Sequence, residues 1–331
     1  MATGWLQNMA AMANTTVSPS TYTQASSFGS ALHANKLPND IYAGVDFDSL
    51  NWLERQWAAW YVFIGDPVLA TGIMSFLLHE VFYFGRCVPW IIVDRIPAMK
   101  RYKIQEDKVA TPEQQWKCTK YVLWTHFTIE LPQIWGFHPL AEYFGMATHE
   151  VPLPKITTIA WQVLMFFLFE DMWHYWTHRA MHTPYLYKKV HKLHHHFSAP
   201  FGLAAEYAHP IEILVLGTGT IGGPLLWCLI SGGNLHIFTM YIFVLLRLSQ
   251  AIDAHSGYDM PWSLHHWIPF WAGADHHDWH HEKFTSCYSS SFRHWDHWFG
   301  TDLSYKLHKA EARKKAACPP GESADKITKS Q

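Results

Sequence analysis

Charge and cysteine are both scarce in this chain. Only 16% of its 331 residues are Asp, Glu, Lys or Arg, and the formal net charge is −2. It carries no basic stripe and no nucleic-acid-binding motif, so nucleic acid is not an expected partner. The five cysteines, Cys87, Cys118, Cys228, Cys287 and Cys318, share no C-x-x-C spacing, which argues against a zinc ribbon or a disulfide ladder and for reduced thiols. There is no H-E-x-x-H, which removes the common zinc-protease signature, and no recognisable single-cysteine haem pocket. Before Lys36 there is no Lys or Arg and no continuous apolar run, whereas a cleavable signal peptide needs both. Residues 1–50 therefore read as a polar, disordered leader. Asn14-Thr15-Thr16 within it matches a glycosylation sequon, a tripeptide common by chance.

What is abundant is apolar and aromatic: 49% of residues are hydrophobic and 16% are Phe, Trp or Tyr. The run from Trp52 to Val93 is broken at Gly65-Asp66-Pro67, where Pro67 is placed to open a second helix. Val68 to Val93 is long enough to span a bilayer, but His79, Glu80 and Arg86 within it require protein or water partners. A loop rich in Arg95, Lys100, Arg101, Lys103 and Lys108 follows, which favours the cytoplasmic side. Tyr121 to Phe144 is apolar again, interrupted by Glu130 and Pro132. Ile156 to Phe169 is uncharged and leads directly into histidines. Ile213 to Ile230 and Leu235 to Leu246, joined by Ser231-Gly232-Gly233-Asn234, form a transmembrane hairpin, so what precedes and follows it lies on one membrane face.

Gly217-Thr218-Gly219-Thr220-Ile221-Gly222 matches the dinucleotide pattern G-x-G-x-x-G, but no strand precedes it and the next acid is Asp253. Gly219 and Gly223 instead have the spacing of small residues that let membrane helices approach closely. The charged carboxyl-terminal stretch, residues 306–331, reads as a flexible tail, and Lys329 lacks the second lysine of a dilysine retrieval signal.

Histidine is the outlier. Of 24 histidines, 19 fall between His174 and His308, where random placement would put fewer than half. His174, His178 and His182 recur every four residues, one helical face with about 6 Å from turn to turn. His191, His194 and His195 follow at i, i+3 and i+4, and His277, His280 and His281 repeat that spacing. Imidazole suits iron, copper, zinc and nickel, and eight or more nitrogens exceed what one ion takes, so two metals are implied. The expected ligands are His178, His182, His191, His194, His195, His277, His280 and His281, with His255 added because it follows the last span. His174, His196, His209 and His276 are further candidates. Isolated histidines, His33, His126, His138, His149, His236 and His308, read as structural. Glu170, Asp171, Glu206, Asp253, Asp275 and Asp278 are placed to accept from imidazole N–H groups. A histidine-only pair of metals beside membrane helices points to oxygen activation: two ferrous ions supply an oxidant for an unactivated C–H bond. A membrane metal transporter, the reading from another class, would instead place polar ligands in mid-span.

His178-Arg179-Ala180-Met181-His182, His191-Lys192-Leu193-His194-His195 and His277-Asp278-Trp279-His280-His281 resemble the H-x3-H, H-x2-H-H and H-x2-H-H boxes of the fatty acid hydroxylase and sterol desaturase superfamily. Ala199-Pro200-Phe201-Gly202-Leu203, Glu206-Tyr207-Ala208-His209-Pro210 and Asp253-Ala254-His255-Ser256-Gly257-Tyr258 are similar to its sterol C4-methyl oxidase branch, over roughly Trp52 to Asp302. Asp259 stands where related hydroxylases carry a second histidine, which adds it to the further candidates. The resemblance implies an all-α integral membrane protein with about four transmembrane helices and a cytosolic histidine-rich cap, its catalytic domain over 51–305. It also implies an endoplasmic-reticulum, multi-pass monooxygenase with two iron ions, acting on the C4 methyl of 4,4-dimethylsterols. Electrons would come from NAD(P)H through cytochrome b5 and its reductase, with other C4-demethylation enzymes as partners. A sterol C5-desaturase or a fatty acid hydroxylase would share the boxes. Trp161, Phe166, Trp262, Trp267 and Trp271 are expected to line a lateral opening for the sterol.

Overall fold

The structure is a computed structural model that describes residues 41–317. Residues 1–40 and 318–331, and with them the sequon at Asn14, Cys318, Lys329 and most of the expected leader, lie outside the described residues. Among the described residues all regular structure is helical; β contacts are limited to isolated bridges such as Lys103 with Tyr258 and Trp271 with Phe292.

Local chemistry sets the helix ends. Helix α1 (Trp52–Ile64) starts at Asn51, whose side chain accepts from the Glu54 N–H while Glu54 reciprocates, and it stops at Gly65 with φ 72°. Asp66 then caps α2 (Pro67–Val93), with Pro67 in the first turn, so the turn expected at Gly65-Asp66-Pro67 is present. Helix α3 (Pro112–Thr125) opens on a second reciprocal cap between Thr111 and Gln114. It runs into a single π turn, His126–Glu130, before continuing as α4 (Leu131–Tyr143). The wide turn accommodates one extra residue where Glu130 and Pro132 interrupt the apolar run.

Helix α5 (Ile156–Met181), followed by the short α6 (Pro184–Lys189), is the central post. Helices α7 (Pro210–Ser231) and α8 (Ile237–Ala254), joined through Gly232 with φ 67°, both pack against it, and α2 packs on α4 and α8. A Cβ on Gly219 would stand 2.5 Å from Trp173, and one on Gly223 would stand 3.0 Å from Phe169. The glycine-rich stretch is thus a packing face on α5, as its spacing predicts. Phe166 and Phe167 of α5 meet Phe243 of α8 edge-on in the core.

Among the described residues three helices, α2, α7 and α8, are long and apolar enough to cross a membrane. Leu77, Val81, Val88, Leu229, Ile230 and Leu246 on them stand exposed, which suits a lipid-facing surface. The count is one short of the expected four. The apolar half of α5 is followed by Glu170, Asp171, His174, His178 and Arg179, which serve the interior, and the Tyr121–Phe144 stretch is divided by the π turn. Intramembrane charge is paired: the Arg86 guanidinium lies 2.6 Å from Asp253, which also accepts from the Trp90 indole. Beyond the site, α9 (Ala274–Lys283), α10 (His294–Phe299) and α11 (Leu303–Ala317) close the fold. The first part of the expected flexible tail is therefore helical, held where Tyr305 donates to Asp275 and Lys309 Nζ lies 2.8 Å from the same carboxylate.

Candidate metal centre

The nine histidines read as ligands come together as two groups. The first holds His178 from α5, His182 at its end, His191 and His195 from the 3-10 turn His191–His196, and His280 from α9. The second holds His194 from the same turn, His255 at the end of α8, and His277 and His281 from α9. In the first, Nε2 of His191 is 3.1 Å from Nε2 of His178 and 3.0 Å from Nε2 of His195, which is 3.2 Å from Nε2 of His280. In the second, Nε2 of His255 lies 3.3 Å from that of His194 and 3.0 Å from that of His277, which is 3.1 Å from that of His281.

The tautomers make this geometry diagnostic. Nδ1–H of His178 donates to the Tyr288 carbonyl at 2.9 Å, His280 to Ser286 at 2.7 Å, His255 to Ala251 at 2.8 Å and His281 to Phe197 at 3.2 Å. A carbonyl only accepts, so each of these Nδ1 atoms carries the proton and the neutral ring presents a lone pair at Nε2. Lone pairs facing one another at about 3 Å repel unless a cation sits between them. Nε2 of His182 is buried without a hydrogen-bond partner, aimed at the same place. Burial keeps the rings neutral and able to ligate: it pulls His182 down to about 3 and His194 to about 4. It also holds His277, His280 and His281, each beside further imidazoles, well below the ordinary imidazole range.

The second box departs from the expected α-helical face. His191–His196 is a 3-10 turn, in which i and i+3 eclipse, and the His191 and His194 rings stack 5.4 Å apart at 23°. Adjacent His194 and His195 consequently serve different groups.

The further candidates lie outside both groups. His174 Nδ1 is 3.5 Å from Glu170, which Arg247 holds at 2.9 Å. His196 is exposed against Phe197 and Tyr207, His209 caps α7, and His276 lies 3.5 Å from Asp296. Asp259 faces His265 at 3.0 Å and His266 at 2.8 Å on the surface side, away from His255's partners.

The expected carboxylate acceptors do not orient the two groups either. Glu170 pairs with Arg247, Asp171 accepts from the Ser291 and Phe292 N–H groups, Asp253 holds Arg86, Asp275 holds Arg293, and Asp278 accepts from Gln105. Backbone carbonyls take the role instead, helped by a residue that sequence reasoning missed: buried Glu212, whose Oε1 lies 2.9 Å from His191 Nδ1. Glu206 belongs to a separate polar cluster with His79, His126 and Glu130. Only His126 and Glu130, at i and i+4, share a local spacing, and His126, read as structural, is one of the four.

A cavity of about 320 Å³ opens onto both groups, with His178 and His191 from the first and His194, His255 and His277 from the second in its wall. Phe137, Ile213, Leu216, Met240, Val244 and Leu248 supply an apolar stretch of its wall, while His79, Glu130, Glu206, Glu170 and Arg247 make another part polar. None of the aromatics expected at a lateral opening lines it. Phe166 is in the core, Trp271 packs on Phe167 and Phe292, and Trp161, Trp262 and Trp267 are exposed.

Residues 163–301 match the family model described as fatty acid hydroxylase, a span that contains all nine histidines. A methylsterol monooxygenase of Aspergillus fumigatus is 60% identical over 255 residues, 77% of this chain and 86% of the relative. The chain belongs to the methylsterol monooxygenase family. A C-4 methylsterol oxidase of Schizosaccharomyces pombe is 54% identical over 83% of this chain and 90% of its own length. Methylsterol monooxygenase 1 of Gallus gallus is 43% identical over 72% and 79%. No solved structure matches the chain. Membership of the methylsterol monooxygenase family makes the protein an oxidoreductase, and its three apolar helices make it a membrane protein.

Proposed function

We infer that this protein is a C4-methylsterol monooxygenase, oxidising a C4 methyl of 4,4-dimethylsterols stepwise to the alcohol, aldehyde and carboxylate. Relatives at 52–60% identity are named methylsterol monooxygenase or C-4 methylsterol oxidase. The observation that carries the site's part is the shared cavity, in which both histidine groups face one chamber with an apolar stretch of wall among membrane-capable helices. Its donor set fits two ions of an imidazole-preferring metal, with five nitrogens in one group and four in the other and no thiolate. We assign iron: two ferrous ions, when bound, supply O2 activation.

The protein's own residues do the rest. The carbonyls of Tyr288, Ser286, Ala251 and Phe197 fix the ring orientations through Nδ1. Phe137, Met240, Val244 and Leu248 keep water from the reacting C–H bond and hold a rigid apolar substrate so that one methyl group faces the histidines. Each oxidation consumes O2, two electrons and two protons and releases water. The electrons are assigned to NAD(P)H through cytochrome b5 and its reductase, a reading supported by the glycine-rich stretch serving to pack α7 on α5 through Gly219 and Gly223. The endoplasmic-reticulum membrane is the expected location, with other C4-demethylation enzymes as neighbours.

The test supplies purified protein with a 4,4-dimethylsterol, cytochrome b5, its reductase, NADH and O2, and follows sterols by mass spectrometry. A C4 alcohol, aldehyde or acid forms only when O2 is present. A new ring double bond, or hydroxylation of fatty acids alone, would overturn the assignment while leaving the histidine groups intact.

A further inference from the structure

Halfway along α2, His79 and Glu80 meet His126 and Glu130 of the π turn and Glu206 of the loop before α7. Five ionisable side chains converge on a helix long and apolar enough to cross a membrane, a costly arrangement that marks a site. Their geometry is ordered. Oε1 of Glu80 lies 2.7 Å from Nδ1 of His126 and 3.3 Å from Nδ1 of His79. A carboxylate only accepts, so both Nδ1 atoms are protonated and both Nε2 atoms turn to the other side. There each meets two further carboxylates. Nε2 of His79 is 3.4 Å from Glu130 Oε2 and 3.4 Å from Glu206 Oε1. Nε2 of His126 is 2.9 Å from Glu206 Oε2 and 3.8 Å from Glu130 Oε1.

Two explanations compete. If both rings were imidazolium, each Nε2–H would close on one oxygen in a charge-assisted bond of about 2.7–2.9 Å. His126 fits that at 2.9 Å from Glu206, whereas His79 fits it less well, its Nε2 lying 3.4 Å from both Glu130 and Glu206 and closing fully on neither. An ion accounts for it: ligand atoms bound tetrahedrally at about 2.0–2.1 Å stand ~3.4 Å apart, and one ligand atom from each of the four residues lies within 4.8 Å of the others. Glu80, holding both Nδ1 atoms, supplies the carboxylate–histidine support that metal-bound imidazoles have.

We propose that His79, His126, Glu130 and Glu206 bind a divalent transition-metal ion, distinct from both histidine groups, with Glu80 orienting the two imidazoles. Two imidazoles and two carboxylates suit zinc, manganese or ferrous iron. The path in is the cavity itself, since His79, Glu130 and Glu206 line it while His126 is fully buried behind them.

The test compares metal per chain, by elemental analysis after equilibration with Zn²⁺ and removal of excess, between the wild-type protein and the double variant Glu130→Gln, Glu206→Gln. The variant should bind one ion fewer and keep those of the histidine groups. Equal metal content in the two proteins would overturn the proposal. Because the count is a difference, it is independent of how many ions the histidine groups hold. If the variant does not fold, anomalous scattering from the zinc-loaded wild type decides: a peak between Nε2 of His79 and Nε2 of His126 supports the site, and its absence refutes it.

Discussion

His191 stands between a carboxylate and two imidazoles, with Nδ1 2.9 Å from Glu212 Oε1 and Nε2 about equally close to His178 and His195. It is the one imidazole of the first group whose Nδ1 faces a carboxylate, so its basicity depends on a single buried side chain. Glu212→Leu should weaken metal retention or activity by roughly 10–100-fold, and Glu212→Gln, which keeps an acceptor, should recover most of it. Metal analysis alongside turnover checks this; equal loss in both variants would point to a purely steric role.

His280→Ala and His277→Ala each remove a donor from a different group. Both should lower metal content and reduce sterol oxidation at least about 100-fold, the scale on which perturbing metal coordination acts, while membrane insertion is unchanged. His209→Ala, which touches neither group, is the control and should retain metal. Full metal and turnover in His280→Ala would remove it from the ligand set.

Folding stability of the metal-free protein should depend on acid. The folded state keeps His182 neutral down to about 3 and His194 down to about 4, against 6.5 for a free imidazole. Below about pH 6.5 the unfolded chain binds protons that the folded chain refuses, so stability is full above that value. It falls as the pH drops towards 4, by up to ~1.4 kcal/mol per pH unit for each such histidine. Thermal unfolding in detergent between pH 7.5 and 4.5 measures this. A flat profile would mean that the rings are already charged in the folded state.

Gly219 and Gly217 separate packing from helix propensity. Alanine at Gly219 meets Trp173 at 2.5 Å and should cost about 1–3 kcal/mol. Alanine at Gly217 meets nothing within 4 Å and should be neutral or slightly stabilising. Melting temperatures of the two single variants distinguish this from a general intolerance of the α7 stretch.

Much of the site was legible because it is local. His178 with His182, and His277 with His280 and His281, lie on helices whose periodicity brings them together, and the glycine spacing named its own packing face. The division into groups was not legible, because a 3-10 turn rather than an α-helix carries His191, His194 and His195. His174 shares the α5 periodicity, yet Glu170 and Arg247 engage its end of the helix. The His79 and His126 cluster was invisible because its contacts join residues 46 and 80 positions apart across three segments, one of them an unforeseen π turn. Four crossing helices were expected where three qualify, since the hydropathy of half a helix does not show where its other half goes.

The division of neighbours between groups has a mechanical consequence. His194 and His195 adjoin in the chain but face different centres, and within α9 His280 faces one while His277 and His281 face the other. The spacing between centres is therefore gauged by one peptide unit and by a single helical turn, distances fixed by covalent geometry. Thicker or thinner bilayers tilt α2, α7 and α8, but they cannot stretch a peptide bond, so the gap between the two centres should remain the same in every membrane this protein inhabits.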